Sequence, residues 1–128
     1  LFMFLKIILN FFVSLLVGFI FEFIYRSLEA KKLVKPRFIN IQMYGLVGIF
    51  LVFIYFLDIS LILKLILIFV VPVFIEFITG YLYFKIKKIR LWDYSKEEFN
   101  FMGTVCLRFS LVWFIVSAIY YYIFLPKI

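Results

Sequence analysis

Long apolar segments alternate with short polar ones along the whole 128-residue chain. A helix that crosses a membrane needs about 20 consecutive, mostly apolar residues, and the chain holds four such stretches between its polar breaks. The pattern predicts helices over residues 4–25, 38–57, 61–84 and 104–125. The breaks are too short for a soluble domain, so residues 1–128 are predicted to form a single transmembrane domain. The expected fold is an all-α integral membrane protein with four transmembrane helices.

The composition agrees with a lipid environment. Hydrophobic residues make up 68% of the chain and charged residues 16%, whereas soluble domains contain roughly 45–50% and 25% of these classes. In water, so short a chain would leave large apolar patches exposed. The chain has one cysteine, Cys106, and no histidine, which excludes intramolecular disulfides, Cys/His zinc sites and histidine acid–base chemistry. We therefore expect no metal, no cofactor and no enzymatic activity.

The basic residues are concentrated in two of the polar breaks. Five lysines and arginines lie in residues 26–37 and five more in residues 85–96. The positive-inside rule places both loops in the cytoplasm and both termini outside. Basic residues split between two loops do not form the aromatic-lined groove that nucleic-acid binding needs. Anionic lipid headgroups are the partners expected for these loops, and no nucleic acid is expected.

The two halves of the chain share a short pattern. The triplet Glu-Phe-Ile occurs at residues 22–24 in the first predicted helix and again at residues 76–78 in the third. Each triplet is followed by a basic loop and then by an asparagine and a glycine, Asn40 and Gly45 in one half and Asn100 and Gly103 in the other. A tandem duplication of a two-helix hairpin would produce this pattern. Chance matching in so biased a composition is the alternative.

Three charged residues, Glu22, Glu76 and Arg108, lie inside the apolar segments. A charge at the centre of a membrane helix costs on the order of 2.5–3.5 kcal/mol, so such residues need partners or a function. Glu22 is one helical turn from Arg26, which favours an ion pair at the inner interface. Glu76 lies near mid-bilayer, because nine residues of helix separate it from Lys85 by roughly 13 Å.

Arg108 is expected in the same inner half of the membrane as both glutamates. It follows Gly103 by five residues, which corresponds to roughly 7 Å of helix. We therefore expect an arginine–glutamate cluster, in which Glu22, Glu76 and Arg108 form a polar layer that either binds a solute or joins helices. For Arg108 the alternative is a side chain that extends to the headgroups and only fixes orientation.

The third polar break carries a distinctive motif, which consists of Trp92, Asp93, Tyr94 and Ser95, followed by Asn100. Ser95 and Glu98 have the spacing of a capping box, so a short interfacial helix is expected to begin there. The two aromatic rings would then be anchors at the headgroup level. Alternatively, the motif is a site in which the Asp93 carboxylate and the Asn100 amide bind a partner or a solute.

The motif also carries a resemblance to a known family. The resemblance rests on Glu76, Trp92-Asp93-Tyr94-Ser95, Phe99-Asn100, Gly103, Cys106-Leu107, Ser110, Trp113 and Pro126, with Glu22 in the first helix. With these residues the chain resembles a family of small bacterial membrane proteins described as ABC-transporter type IV permeases. It departs from the family pattern before Tyr44-Gly45, where residues 37–43 lack the usual glycines and prolines, and at Thr104, where arginine is common.

The resemblance implies a multi-pass permease of the bacterial cytoplasmic membrane. Because the chain has no phosphate-binding glycine-rich loop, ATP hydrolysis would require a separate ATPase subunit. The first hypothesis is therefore a transport component that acts as a homo-oligomer or with other membrane subunits. The second is an accessory or lipid-binding scaffold protein that does not transport. The third is a small proton-coupled exporter.

The predicted topology can be tested by thiol labelling in intact cells after Cys106 is replaced. We expect cysteines introduced as Lys32→Cys and Lys88→Cys to resist an impermeant reagent, because both basic loops face the cytoplasm. Ser60→Cys should react, because the short break at residues 58–60 faces outside. Labelling at position 32 with protection at position 60 would reverse the orientation.

Overall fold

Helices dominate the computed structural model, which describes residues 2–128 and, for Phe38 and Ile39, the backbone alone. The described helices are α1 (Phe2–Ala30), α2 (Phe38–Phe56), α3 (Leu61–Lys87) and α4 (Leu107–Ile119). Helical turns of π and 3-10 geometry extend α4 through Tyr120–Phe124 and Leu125–Lys127. Two short antiparallel strands, β1 (Asn100–Phe101) and β2 (Val105–Cys106), precede α4 and pair Asn100 with Cys106.

Three helical segments are long and apolar enough to cross a membrane, namely Phe2–Ala30, Leu61–Lys87 and Leu107–Lys127. The remaining apolar segment, Asn40–Phe56, is shorter than the other three. The all-helical architecture with apolar spans is thus confirmed, while the count of four spans stays a prediction. The fourth helix begins at Leu107 rather than at the expected residue 104, because residues 100–106 form the strand pair.

The chain divides into two compact units, residues up to 52 together with residue 128, and residues 53–127. In the first unit, α1 buries a face of polar and small residues spaced four apart, Lys6, Asn10, Ser14 and Gly18. Gly18 lies against the Tyr44 ring, and Gly48 of α2 lies against Ser14 and the Asn10 backbone. Small residues let two membrane helices approach closely, so these glycines set the α1–α2 contact.

In the second unit, α3 packs against α4, with the rings of Phe69 and Phe114 in edge contact at 5.6 Å. The Ser60 side chain caps the start of α3 by accepting a hydrogen bond from Leu63 N–H. The helix continues through Pro72 and ends at Lys88, which adopts the left-handed conformation. The buried face of α3 also repeats every four residues, at Ile68, Pro72, Glu76 and Gly80.

The close α1–α2 contact predicts that Gly48 cannot carry a side chain. An added Cβ would lie 3.1 Å from the Asn10 carbonyl oxygen and would meet the Ser14 side chain as well. We expect Gly48→Leu to destabilise the protein by about 1–3 kcal/mol, the usual cost of overpacking, measured as a lower unfolding midpoint in detergent. Leu46→Val, at an exposed position two residues away, is the control and should change the midpoint little.

Candidate functional site

The site is built around the carboxylate of Glu76, whose residue is only 4% exposed. Its Oε2 accepts a hydrogen bond of 2.8 Å from Trp113 Nε1 on α4 and one of 3.3 Å from the Tyr94 hydroxyl. Three parts of the chain, α3, α4 and the loop between them, therefore meet at one side chain.

The loop that contributes Tyr94, residues 89–106, is called the motif loop below, and turns of its own backbone hold it together. The Asp93 carboxylate accepts the Ser95 N–H at 2.9 Å, and Asn100 Oδ1 accepts the Gly103 N–H at 3.0 Å. Tyr94 N–H donates to the Gly103 carbonyl at 2.9 Å, which joins the two ends of the loop. Gly103 has a φ of +67°, a conformation that suits glycine.

The short helix predicted to start at Ser95 is not present in the described loop, so that prediction was wrong; residues 95–99 form turns instead. The side chains of Asp93 and Asn100 bond backbone groups that a helix would otherwise pair. Asp93 accepts the Ser95 N–H, and Asn100 Nδ2 donates to the Glu97 carbonyl at 2.9 Å. Short polar side chains compete with helical hydrogen bonding in this way.

Both aromatic rings of the motif contact protein, which an anchor at the headgroup level would not need. Trp92 lies against Gly80 of α3, where an added Cβ would be 2.8 Å from its ring, and donates Nε1–H to the Thr104 carbonyl at 2.7 Å. The Tyr94 ring stacks on Phe109 of α4, with centroids 4.9 Å apart and planes 11° from parallel. These contacts hold the motif loop onto α3 and α4.

Asp93 is exposed and supports the loop through its charge. The hydrogen bond from the Ser95 N–H and then that from the Ser95 hydroxyl lower the pKa of Asp93 below its usual 3.8, with smaller contributions from Arg90 and Lys96. Because the pKa is lowered by folding, the contribution of Asp93 to the turn is present at neutral pH. That contribution is lost as the pH falls through the folded-state pKa.

Within the second unit Arg108 pairs with Glu97 and not with Glu76, which differs from the arginine–glutamate pairing expected from the sequence. It lies in the first turn of α4, with its side chain 65% exposed, and its Nη1 pairs with Glu97 Oε1 at 3.1 Å. The later start of α4 places Arg108 at the end of the helix rather than inside it. The partner of Glu76 on α4 is Trp113, which the charge-based search missed. A buried indole N–H needs an acceptor, and that requirement was the available signal.

Glu22 in the first unit has the ion pair expected from its spacing. Arg26 Nε lies 2.7 Å from Glu22 Oε2, which confirms that expectation, and the Tyr44 hydroxyl donates to Oε1 at 2.8 Å. Each unit thus contains a glutamate on its first helix that accepts a hydrogen bond from an aromatic side chain later in the same unit. In the first unit an arginine accompanies this pair.

Cys106 is buried at the start of α4, where the motif loop ends. Burial raises the pKa of its thiol, and the negative charges of Glu97 and Glu76 raise it further. The thiol is therefore protonated at neutral pH. Within residues 2–128, no group of three or more His, Cys, Asp or Glu side chains is arranged to hold a metal ion.

A double-mutant cycle tests the Glu76–Trp113 bond. Trp113→Phe removes one donor from a buried carboxylate and should destabilise the protein by about 1.5–3 kcal/mol in detergent unfolding. Glu76→Gln should absorb part of this loss, so the two changes are expected to couple by at least about 0.5 kcal/mol. Arg108→Leu with Glu76→Gln is the matched control and should be additive, because Arg108 pairs with Glu97. If Arg108→Leu couples with Glu76→Gln while Trp113→Phe and Glu76→Gln are additive, Arg108 and not Trp113 is the partner of Glu76.

Nearly the whole chain is similar to one known protein family. The model of a family described as "Putative ABC-transporter type IV" matches residues 9–128. No curated protein and no solved structure matches the chain. The matched segment contains both glutamates, the motif loop and Trp113, and it leaves out only the first eight residues. The chain therefore belongs to this family of ABC-transporter type IV proteins.

Proposed function

We propose that the protein is the membrane-embedded permease part of a transport system and that Glu76 lies at its working centre. Family membership and three apolar candidate spans support a membrane transport role. The observation that carries the proposal is a buried carboxylate inside a span, hydrogen-bonded by Trp113 and Tyr94 beneath the motif loop. Ionisable residues within membrane helices commonly mark the path of a solute or a proton.

The donors described for Glu76 favour a working carboxylate. An indole N–H and a phenol O–H both donate to Oε2 and so orient the carboxylate. A carboxylate held in this way inside an apolar span is suited to bind a proton or a cationic group of a solute.

A transport role for so small a chain implies other subunits. A path enclosed by helices needs more of them than α1 to α4 provide, so we propose a homo-oligomer or an assembly with other membrane subunits. In this proposal α2 is the fourth span, although its apolar segment is shorter than the others. The sequence has no phosphate-binding loop, so ATP hydrolysis is assigned to a separate ATPase subunit.

The proposed orientation places both basic loops in the cytoplasm of a bacterium and both termini outside the cytoplasmic membrane. The first loop supports contact with anionic lipid headgroups, because its basic side chains are exposed: Lys31, Lys32, Lys35 and Arg37. Leu33 lies among them and is 83% exposed, which suits insertion of its side chain into the interface. This loop also favours the second candidate function, a lipid-binding scaffold.

The buried faces of α1 and α3 support the proposed duplication of a two-helix hairpin. In each helix the residues four and eight positions before the glutamate are buried, Gly18 and Ser14 in α1 and Pro72 and Ile68 in α3. The two compact units divide after residue 52, within the last turns of α2 and six residues before the break at residues 58–60 that separates the two hairpins. The shared register extends the match beyond the Glu-Phe-Ile triplet.

The proposal predicts a complex whose ATPase activity depends on Glu76. The tagged protein, purified from its own membranes in mild detergent, should appear by native mass spectrometry as an oligomer or with an ATPase subunit. Glu76→Gln should keep the assembly but change its ATP hydrolysis several-fold, because the carboxylate takes part in the transport cycle. Glu29→Gln is the control, because Glu29 is exposed at the end of α1 and should have no effect. A lone chain that carries only anionic lipids would instead support the scaffold function.

A further inference from the structure

The motif loop is built so that it can move as one piece. The bonds from Asp93 to Ser95, from Asn100 to Gly103 and from Tyr94 N–H to Gly103 all lie within the loop. The pairing of β1 with β2 closes its C-terminal end. Because these bonds do not use the helices, the loop can keep its shape when its contacts with α3 and α4 change.

The part-buried hydrogen bond from Tyr94 to Glu76 is a polar contact between this loop and α3. The ion pair between the loop and α4, Arg108 with Glu97, is exposed, and exposed pairs contribute little to stability. Apolar contacts of Trp92 with Gly80 and of Tyr94 with Phe109 add area without depending on charge. The position of the loop therefore depends on charge through the Tyr94–Glu76 hydrogen bond and, nearer the end of α3, through the Arg90 guanidinium 4.5 Å from the centre of the Phe84 ring.

Two donors described for Glu76, Trp113 and Tyr94, differ in how firmly they are held. Trp113 donates from within α4 at 2.8 Å, whereas Tyr94 donates from the loop at 3.3 Å. If the carboxylate takes up a proton, both bonds lose their charge-assisted strength. The longer bond, which comes from the movable element, is the one expected to break.

Several charged or titratable groups of the second unit lie near the motif loop. Burial raises the pKa of the Cys106 thiol at the start of α4, and Glu97 of the loop pairs with Arg108 of α4. The Arg90 guanidinium of the loop lies 4.5 Å from the centre of the Phe84 ring on α3, and Lys85 of α3 is exposed. Glu76 accepts the hydrogen bond from Tyr94, so its protonation would weaken that contact directly.

We propose that Glu76 is a proton-binding site and that Tyr94 is its latch. The Tyr94 hydroxyl holds the motif loop over the ionised carboxylate, and proton binding to Glu76 releases the loop. The charge of a group inside a span thereby controls the exposure of the Trp92–Ser95 motif at the loop surface. This inference stands whether or not the chain transports a solute.

Cys106 provides a native reporter of loop release, because it is the single cysteine and is buried where the loop ends. The rate of its alkylation by N-ethylmaleimide is measured at neutral pH on the purified protein in detergent. We expect Tyr94→Phe to accelerate the reaction about tenfold, equivalent to about 1.4 kcal/mol in the opening equilibrium. Glu76→Gln should also accelerate it, because glutamine keeps an acceptor oxygen but has no charge. The double variant should react no faster than the faster single variant.

Tyr83→Phe is the matched control, because Tyr83 lies on α3 and its hydroxyl makes no hydrogen bond within residues 2–128. It should react at the wild-type rate. Since Glu76→Gln also removes a charge that raises the pKa of the Cys106 thiol, amide hydrogen exchange over residues 90–103 provides a second readout. After correction for intrinsic exchange, acidification should lower protection in the wild type but not in Tyr94→Phe, which begins at low protection.

Three results would overturn the latch. The first is alkylation of Tyr94→Phe at the wild-type rate. The second is faster alkylation of Tyr94→Phe together with unchanged alkylation and unchanged hydrogen exchange in Glu76→Gln. That result would show that Tyr94 holds the loop independently of the Glu76 charge. The third is equal acceleration by Tyr83→Phe, which would indicate general loosening. If circular dichroism shows that Glu76→Gln is unfolded, the Tyr94→Phe comparison and its response to acid decide the question.

Discussion

A carboxylate removed from water must find hydrogen-bond donors, and much of the second unit follows from that requirement at Glu76. Its donors come from two places far apart in sequence, Tyr94 in the motif loop and Trp113 in α4. To supply both, the loop must fold back over α3 and α4 must pack beside it. Gly80 permits the first of these arrangements, because Trp92 occupies the space where its side chain would be. The carboxylate thus determines the packing of three elements.

The sequence predicted the architecture well because lipid imposes simple rules. Apolar segments of membrane-crossing length are visible without any knowledge of packing, and the Glu22–Arg26 pair follows from helical spacing alone. The family match over residues 9–128 agrees with the resemblance seen in the motif residues. These features depend on local composition and spacing, which a single sequence contains.

The site was less predictable because its contacts are not local. Charge alone suggested that Glu76 would pair with Arg108, but the helix that carries Arg108 begins at Leu107, and the arginine lies near its exposed end. That start depends on the β1–β2 pair, two strands of two residues each, which no periodicity reveals. The Asp93 and Asn100 turns likewise replaced a capping-box helix. At the strand pair backbone pairing, and at the turns side-chain bonds to the backbone, prevailed over intrinsic helical preference.

The separation between Glu76 and Trp113, 37 residues along the chain, has a consequence for biogenesis. Chains are synthesised from the N-terminus, so α3 emerges before its indole donor has been made. Until α4 arrives, the nascent helix carries a carboxylate without this donor, and a charge inside a membrane helix costs up to about 2.5–3.5 kcal/mol. The arrival of α4 is thus expected to lower the cost of keeping α3 in lipid, with the bond to Trp113 completing the insertion of the two helices.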